Sequence, residues 1–172
     1  MDESGFLLIP TRRRTWGPRG RTPILRYRYR HDRISALAVL TLSAVRRRIG
    51  LYVRFQQDNF TAQHVARFLR QLLRHLRGPI ILLWDQAQIH QGPFIRRFLD
   101  DHPRLETEPF PGYAPELNPT EGVWNDFKGH TANSLPQTKR DIRQGLHANA
   151  RRVRRSQAKL RSFLLASELP LP

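Results

Sequence analysis

Three carboxylates stand where their type and neighbours could do chemistry. Asp85 directly follows the apolar run Ile80-Ile81-Leu82-Leu83-Trp84, Glu121 closes the tetrad Asn118-Pro119-Thr120-Glu121, and Asp2 stands just ahead of the apolar stretch 6–9. Carboxylate oxygens are hard donors that suit Mg²⁺ and Mn²⁺. At the carboxyl end of a strand they also sit where α/β sheets place their sites. Each acid has a plainer reading as well. Asp2 alone is a solvated acid near a terminus, and Asp85 alone is a helix cap or turn former. Glu121 alone completes a capping box, its side chain folding back onto the N–H of Asn118. Residue type and spacing leave both readings open.

The acids sit in a strongly basic chain. Thirty Lys and Arg against fourteen Asp and Glu give a formal charge of +16 over 172 residues, and arginine carries nearly all the excess. A planar guanidinium suits phosphate oxygens, and so large a charge attracts polyanions before any specific contact forms. A nucleic-acid partner is therefore the first expectation, with a ribosomal-type or merely solubilising basic surface as the alternative. The arginines cluster in two places. Segment 11–23 mixes Arg12, Arg13, Arg14, Arg19 and Arg21 with Gly17, Pro18, Gly20 and a lone Trp16, a turn-rich loop that either contacts DNA, with the indole as a stacking surface, or is a solvated connection. Arg67, Arg70, Arg74 and Arg77 recur at helical spacing and form a basic stripe. The absence of cysteine excludes disulfides, thiolate zinc sites and cysteine nucleophiles. No apolar run approaches the roughly 20 residues of a membrane span, and no signal-peptide pattern opens the chain. A soluble intracellular protein is expected.

The elements that must position these residues follow from periodicity. A strand is predicted over 6–9, ended by Pro10. Two more, over 34–42 and 49–55, form a hairpin around Arg46 to Arg48. Val65, Phe68, Leu69, Leu72, Leu73 and Leu76 recur at helical spacing after Asp58 and Asn59 as caps, until Gly78-Pro79 stops them. The run 80–84 reads as a strand covered on both faces. A helix with Phe94, Ile95, Phe98 and Leu99, a short strand over 105–108 and a turn-rich stretch 109–119 follow. Then a helix starts at Pro119 with Asn118 as its cap, and a last basic helical region spans 138–166. One domain of mixed α/β or α+β class accounts for this order.

The stretches Leu82-Leu83-Trp84-Asp85-Gln86-Ala87-Gln88-Ile89-His90 and Pro111-Gly112-Tyr113-Ala114-Pro115-Glu116-Leu117-Asn118-Pro119-Thr120-Glu121-Gly122-Val123-Trp124 resemble the mariner-type DDE transposases, and among them the bacterial insertion sequences of family six-thirty. Met1 to Phe6 resembles that family's first catalytic block, and Thr15-Trp16 with Arg19 to Pro23 the loop after it. The resemblance covers roughly residues 1 to 130, and the proline-rich block through Trp124 is its most specific part. Gln86 stands where Asn is usual, Gln88 for Pro, Ala114 for Ser and Thr120 for Ile. None of these departures removes a carboxylate.

The resemblance implies an RNase H-like fold, a mixed five-stranded sheet flanked by helices, with a catalytic domain over 1–135 and a basic helical extension over 136–172. It implies Asp2, Asp85 and Glu121 as the catalytic triad and metal ligands; 35 residues intervene between the last two, close to the spacing by which that triad is known. The implied cofactor is a pair of Mg²⁺ or Mn²⁺ ions. The implied reaction is hydrolysis of DNA phosphodiesters at transposon ends, then strand transfer into target DNA. Implied partners are double-stranded DNA, as inverted repeats and target, and a second copy in a synaptic complex, in the nucleoid of a bacterial cytoplasm and away from any membrane. Arg12, Arg13, Arg14, Trp16, Arg19 and Arg21 are expected DNA contacts, together with His90, which could orient a phosphate or serve structurally, and Lys128, seven residues after Glu121. Glu3 and Glu116 fit the family pattern without being counted as ligands. Members of the family carry helix-turn-helix modules ahead of this domain, and none is read here. The expectation is an enzyme that works joined to such a part, or a non-catalytic DNA-binding remnant that interferes with transposition.

Overall fold

Alternation along the strands decides the layers. The computed structural model describes residues 1–9, 13–24, 26, 32–43, 45, 48–134 and 136–169. Strands β1 (Asp2–Leu7), β2 (Arg33–Leu42) and β3 (Ile49–Gln56) form an antiparallel sheet in that order, with Asp2 opposite Ala38 and Leu40 opposite Leu51. Successive side chains of a strand point to opposite faces. Phe6, Ile34, Ala36, Ala38, Leu51 and Phe55 therefore share one core with three C-terminal helices, α3 (Pro119–Thr131), α4 (Lys139–Arg154) and α5 (Gln157–Leu165). Leu37 and Val39, on the other face, share a second core with α1 (Ala62–His75), α2 (Pro93–Asp100) and the strands β4 (Ile80–Trp84) and β5 (Leu105–Pro109). The amphipathic stripe read from sequence is the buried face of α1, where Val65, Phe68, Leu69, Leu72 and Leu73 are all buried.

The expected single five-stranded sheet is not what the described residues form. β4 pairs only with β5, in parallel, as a separate two-stranded sheet. Among the described residues one backbone hydrogen bond joins the two sheets, from the Met1 nitrogen to Leu83 O at 2.6 Å. β1 meets β4 at this single residue, so no ladder forms. Nor is β4 covered on both faces: Leu82 and Trp84 are buried, while Ile81 on the opposite face is 65% exposed.

Smaller departures have local causes. The first strand starts at Asp2 and ends at Leu7, earlier than the apolar stretch suggests, because pairing with β2 sets its limits. Thr61, not Asp58 or Asn59, caps α1; the carbonyls of Asp58 and Asn59 instead accept from Gln56 Nε2. The basic C-terminal region is two helices, broken at Arg155 and restarted by Ser156, whose hydroxyl accepts from Lys159 N. Ser43 N donates to Arg48 O at the base of the predicted hairpin, while Arg46 at its tip lies outside the described residues. Among the described residues no helix is long and apolar enough to cross a membrane.

Candidate active site

Asp2 enters the site from the first position of β1, where its alternation with Glu3 matters. Asp2 faces the α3 side and is 8% exposed. Its Oδ2 accepts from Trp124 Nε1 at 2.8 Å and its Oδ1 from Glu3 N at 2.9 Å. Burial raises its pKa to about 6 against the pull of the Trp124 bond, and the nearby charges of Glu121 and Glu3 push the same way.

Asp85 leaves the carboxyl end of β4. Its Oδ1 accepts from Ala87 N at 3.0 Å and lies 2.7 Å from His90 Nδ1. The His90 bond, assisted by the Ala87 N–H, holds this carboxyl below its usual range despite partial burial. Its Oδ2 has no hydrogen-bond partner among the described residues. A single turn of 3-10 helix, Gln88–His90, returns the chain so that His90 is buried beneath Trp84. The two rings stack at 4.7 Å with 5° between their planes.

Glu121 stands in the first turn of α3, half-buried. Asn118 caps this helix by accepting from Thr120 N at 3.1 Å, and Pro119 takes the first helical position. The capping-box alternative is not realised, because the Glu121 carboxylate bonds no backbone N–H of the cap. Gly122 follows for a steric reason: a Cβ there would lie 2.9 Å from Phe163 Cδ1. The missing side chain lets α5 pack against α3 directly beside Glu121.

The structure thus brings the charge of Glu121 to bear on Asp2, while Asp85 is tied to His90. The tightest acidic grouping among the described residues is a different one. Single ligand atoms of Glu3, Asp85 and His90 lie within 4.8 Å of one another. His90 Nε2 is 3.0 Å from Glu3 Oε1, and Nδ1 also reaches the Asp85 main-chain O at 3.1 Å. These are hydrogen-bond lengths, and both ring nitrogens are used. Burial by itself would lower the His90 pKa, but the Asp85 and Glu3 bonds outweigh it and raise it to about 9. This buried ring has no nitrogen left for a phosphate, so the placement differs from the expected DNA contact.

The remaining expected DNA contacts lie elsewhere. Arg13, Arg14, Arg19 and Arg21 are exposed, and Trp16 is fully exposed; Arg12 lies outside the described residues. The loop is pinned to the end of α3 by Arg13 N to Asn133 Oδ1 at 3.1 Å and Asn133 Nδ2 to Arg13 O at 3.0 Å. Lys128 lines a cavity of about 620 Å³ with Gly5, Phe6 and Leu7, at the far end of β1 from Asp2. Arg67, Arg70 and Arg74 of the α1 stripe are exposed. Sequence reasoning assigned no role to Trp124, Glu3 or Tyr113. Trp124 donates to the Asp2 carboxylate and Glu3 bonds the His90 ring, each more than 80 positions away in the chain, which periodicity does not reveal. Tyr113 is fully exposed with φ 58°, a strained conformation for a side chain of its size.

Residues 1–143 match the family model described as DDE superfamily endonuclease. No curated protein matches the sequence. Among solved structures, the Mos1 mariner paired end complex with Mn is similar at TM-score 0.64 and 15% identity, covering 99% of this chain and 55% of that one. The Mos1 transposase paired-end complex with left transposon end gives TM-score 0.63 and 15% identity, with 98% and 55% covered. The catalytic domain of Mos1 mariner transposase gives 0.54 and 13%, with 81% and 77% covered. The chain therefore spans about half the length of the two Mos1 chains found in complexes, and at these identities the likeness is one of fold.

Proposed function

Since the chain belongs to the DDE superfamily endonuclease family, we propose that it is the catalytic domain of a mariner-type transposase that cuts DNA phosphodiesters at transposon ends and joins them to target DNA, with Asp2, Asp85 and Glu121 as metal ligands. The observation that carries this reading is electrostatic. In a chain of +16 net charge, no lysine or arginine among the described residues pairs with Asp2, Glu3, Asp85 or Glu121. A buried carboxylate that ionises needs a countercharge, and among the described residues the positive groups beside these acids are His90 and the Met1 amino group, whose pKa burial lowers to about 6. The donor set is all hard oxygen, which fits Mg²⁺ or Mn²⁺.

Asp85 Oδ2 and the Glu121 carboxylate are the oxygens that would reach the ions; Asp2 would join them by yielding one of its two hydrogen bonds. Two divalent ions, when bound, activate the attacking water or 3′-hydroxyl and stabilise the leaving oxygen. The chain's own part is to hold three carboxylates from β1, the end of β4 and the start of α3 around the Met1–Leu83 contact, so that orientation precedes chemistry. The exposed arginines of the loop and of the α1 stripe hold the phosphate backbone, and Trp16 offers a ring on which a base stacks. We read the two sheets as one five-stranded layer interrupted between β1 and β4, the domain as running over 1–135 with a basic extension beyond, and the working assembly as a dimer on DNA in the bacterial cytoplasm.

Nicking of supercoiled plasmid carrying the element's inverted repeat tests this. Cleavage that requires Mg²⁺ or Mn²⁺ and is lost in Asp85→Ala supports it. Cleavage that survives chelation, or that survives Asp85→Ala, contradicts it. The exposed basic loop favours a second reading, that of a DNA-binding domain without catalysis. Salt-sensitive DNA binding with no nicking in either metal is the outcome that selects it.

A further inference from the structure

Among the described residues the seam between the two sheets is held by one backbone bond, yet the proposed chemistry needs carboxylates on both sides of it at fixed separation. Asp2 belongs to β1 and Asp85 to the end of β4. Two ions about 3.5–4 Å apart tolerate little play in their ligands, so something other than a strand ladder must set the spacing.

We propose that His90, held by Glu3, is a positioning residue that straps β1 to the end of β4 and thereby fixes Asp85 relative to Asp2. The ring is restrained in every direction that matters. Trp84 stacks on its face, which fixes the ring plane. Glu3 Oε1 at one nitrogen and Asp85 Oδ1 at the other fix its rotation within that plane. The Asp85 main-chain O adds a second acceptor at 3.1 Å on the Asp85 side. Because Glu3 is the strand neighbour of Asp2, a restraint between Glu3 and Asp85 is also a restraint between the two ligands. The strap occupies Asp85 Oδ1 and leaves Oδ2 as the oxygen without a partner among the described residues. Outer hydrogen-bond partners of metal-ligating groups have this effect in general, and losing one typically weakens metal binding about 10- to 100-fold. Neither His90 nor Glu3 need touch metal or DNA to do this.

The inference rests on the proposed metal role of Asp85, and the test separates the two. Mn²⁺ binding to the 172-residue chain is measured by electron paramagnetic resonance, with thermal melting of each variant alongside. His90→Phe keeps an aromatic ring for Trp84 and removes both hydrogen bonds; Glu3→Ala removes the anchor. Each is expected to weaken Mn²⁺ binding about 10- to 100-fold in the folded protein. Glu3→Gln keeps an acceptor oxygen without the charge and is expected to retain most of the affinity. In an Asp85→Asn background, His90→Phe is expected to cause no further loss, since the strap then has no ligand to place. A merely structural role lowers the melting temperature but leaves Mn²⁺ affinity unchanged in variants that still fold.

Folded His90→Phe binding Mn²⁺ as tightly as the unsubstituted chain overturns the strap while leaving the metal role of Asp85 standing. So does Glu3→Gln behaving like Glu3→Ala, which makes Glu3 a charge rather than an anchor. Directly coupled ring nitrogen in the Mn²⁺ spectrum would make His90 a ligand and also overturns it. Should His90→Phe fail to fold, the Glu3 pair decides the matter, because that side chain is one-fifth exposed. If the unsubstituted chain shows no Mn²⁺ binding that Asp85→Asn abolishes, the metal reading itself falls and the strap with it.

Discussion

Glu121 and Asp126 stand five residues apart on α3, and the protein treats the two acids in opposite ways. Asp126 has a side chain only 6% exposed. Arg152 of α4 pairs with it, and Lys159 of α5 reaches it at 2.8 Å. Those bonds outweigh its burial and hold its carboxyl below the usual range. Glu121, in the first turn of the same helix, has neither arginine nor lysine among the described residues, and Asp2, which is buried and feels its charge, is pushed up to about 6. Arginine is the commonest charged residue in this chain, so its absence from one cluster beside its presence in the other is informative. The Asp126 cluster is complete as it stands and ties three helices together. The proposed Asp2, Asp85 and Glu121 site meets only His90 and the Met1 amino group among the described cationic groups, and with Glu3 beside it the acids outnumber them, an excess of negative charge that suits a cation site.

The largest expected effect is a dependence on pH. Asp2 has a folded pKa above its unfolded one, so ionisation opposes folding. The penalty is fully present above pH 6, shrinks as pH falls through 6, and is absent below 3.8. Asp2→Asn turns one accepting oxygen into an amide nitrogen that cannot accept from Trp124 Nε1 or Glu3 N at any pH, so without metal its effect on stability is expected to be more favourable at pH 8 than at pH 4 by about 3 kcal/mol. Urea unfolding at the two pH values checks this. Equal effects at the two pH values would mean that Asp2 already has a countercharge.

A second test moves the helix that carries both clusters. Gly122→Ala places a methyl against Phe163, and overpacking of this kind costs about 1–3 kcal/mol. If the variant melts with the unsubstituted protein, α5 is not packed on α3 as described and the two clusters do not share a rigid frame.

The smallest effect belongs to the neutralised cluster. Arg152 and Lys159 are each 39% exposed, so solvent screens what they give Asp126. Asp126→Asn is expected to cost about 1 kcal/mol, with DNA cleavage retained once folded. Loss of cleavage in the folded variant would erase the distinction between the clusters.

How much of this the sequence revealed depended on the range of the interaction. Strand β4 could be read from the apolar run Ile80 to Trp84 and α1 from the spacing of its buried leucines, because both are local patterns. The limits of β1 could not, since they depend on which residues of β2 it pairs with. The break between α4 and α5 had a local signal in Ser156, a good cap, hidden by basic residues on both sides. Each carboxylate of the proposed site was visible through the motif around it. What sets their geometry was not, because Trp124 reaches Asp2 across 122 positions and His90 reaches Glu3 across 87.

The most direct measurement is the rate of Mg²⁺-dependent nicking by Glu121→Ala, with Asp126→Asn as its control and both variants shown to be folded. A lost ligand removes several kcal/mol of transition-state stabilisation, so Glu121→Ala is expected to fall by more than about 100-fold. Asp126→Asn should stay near the unsubstituted rate. Near-normal cutting by folded Glu121→Ala would contradict the account, because the acid left without a cation on α3 would then have no part in the chemistry.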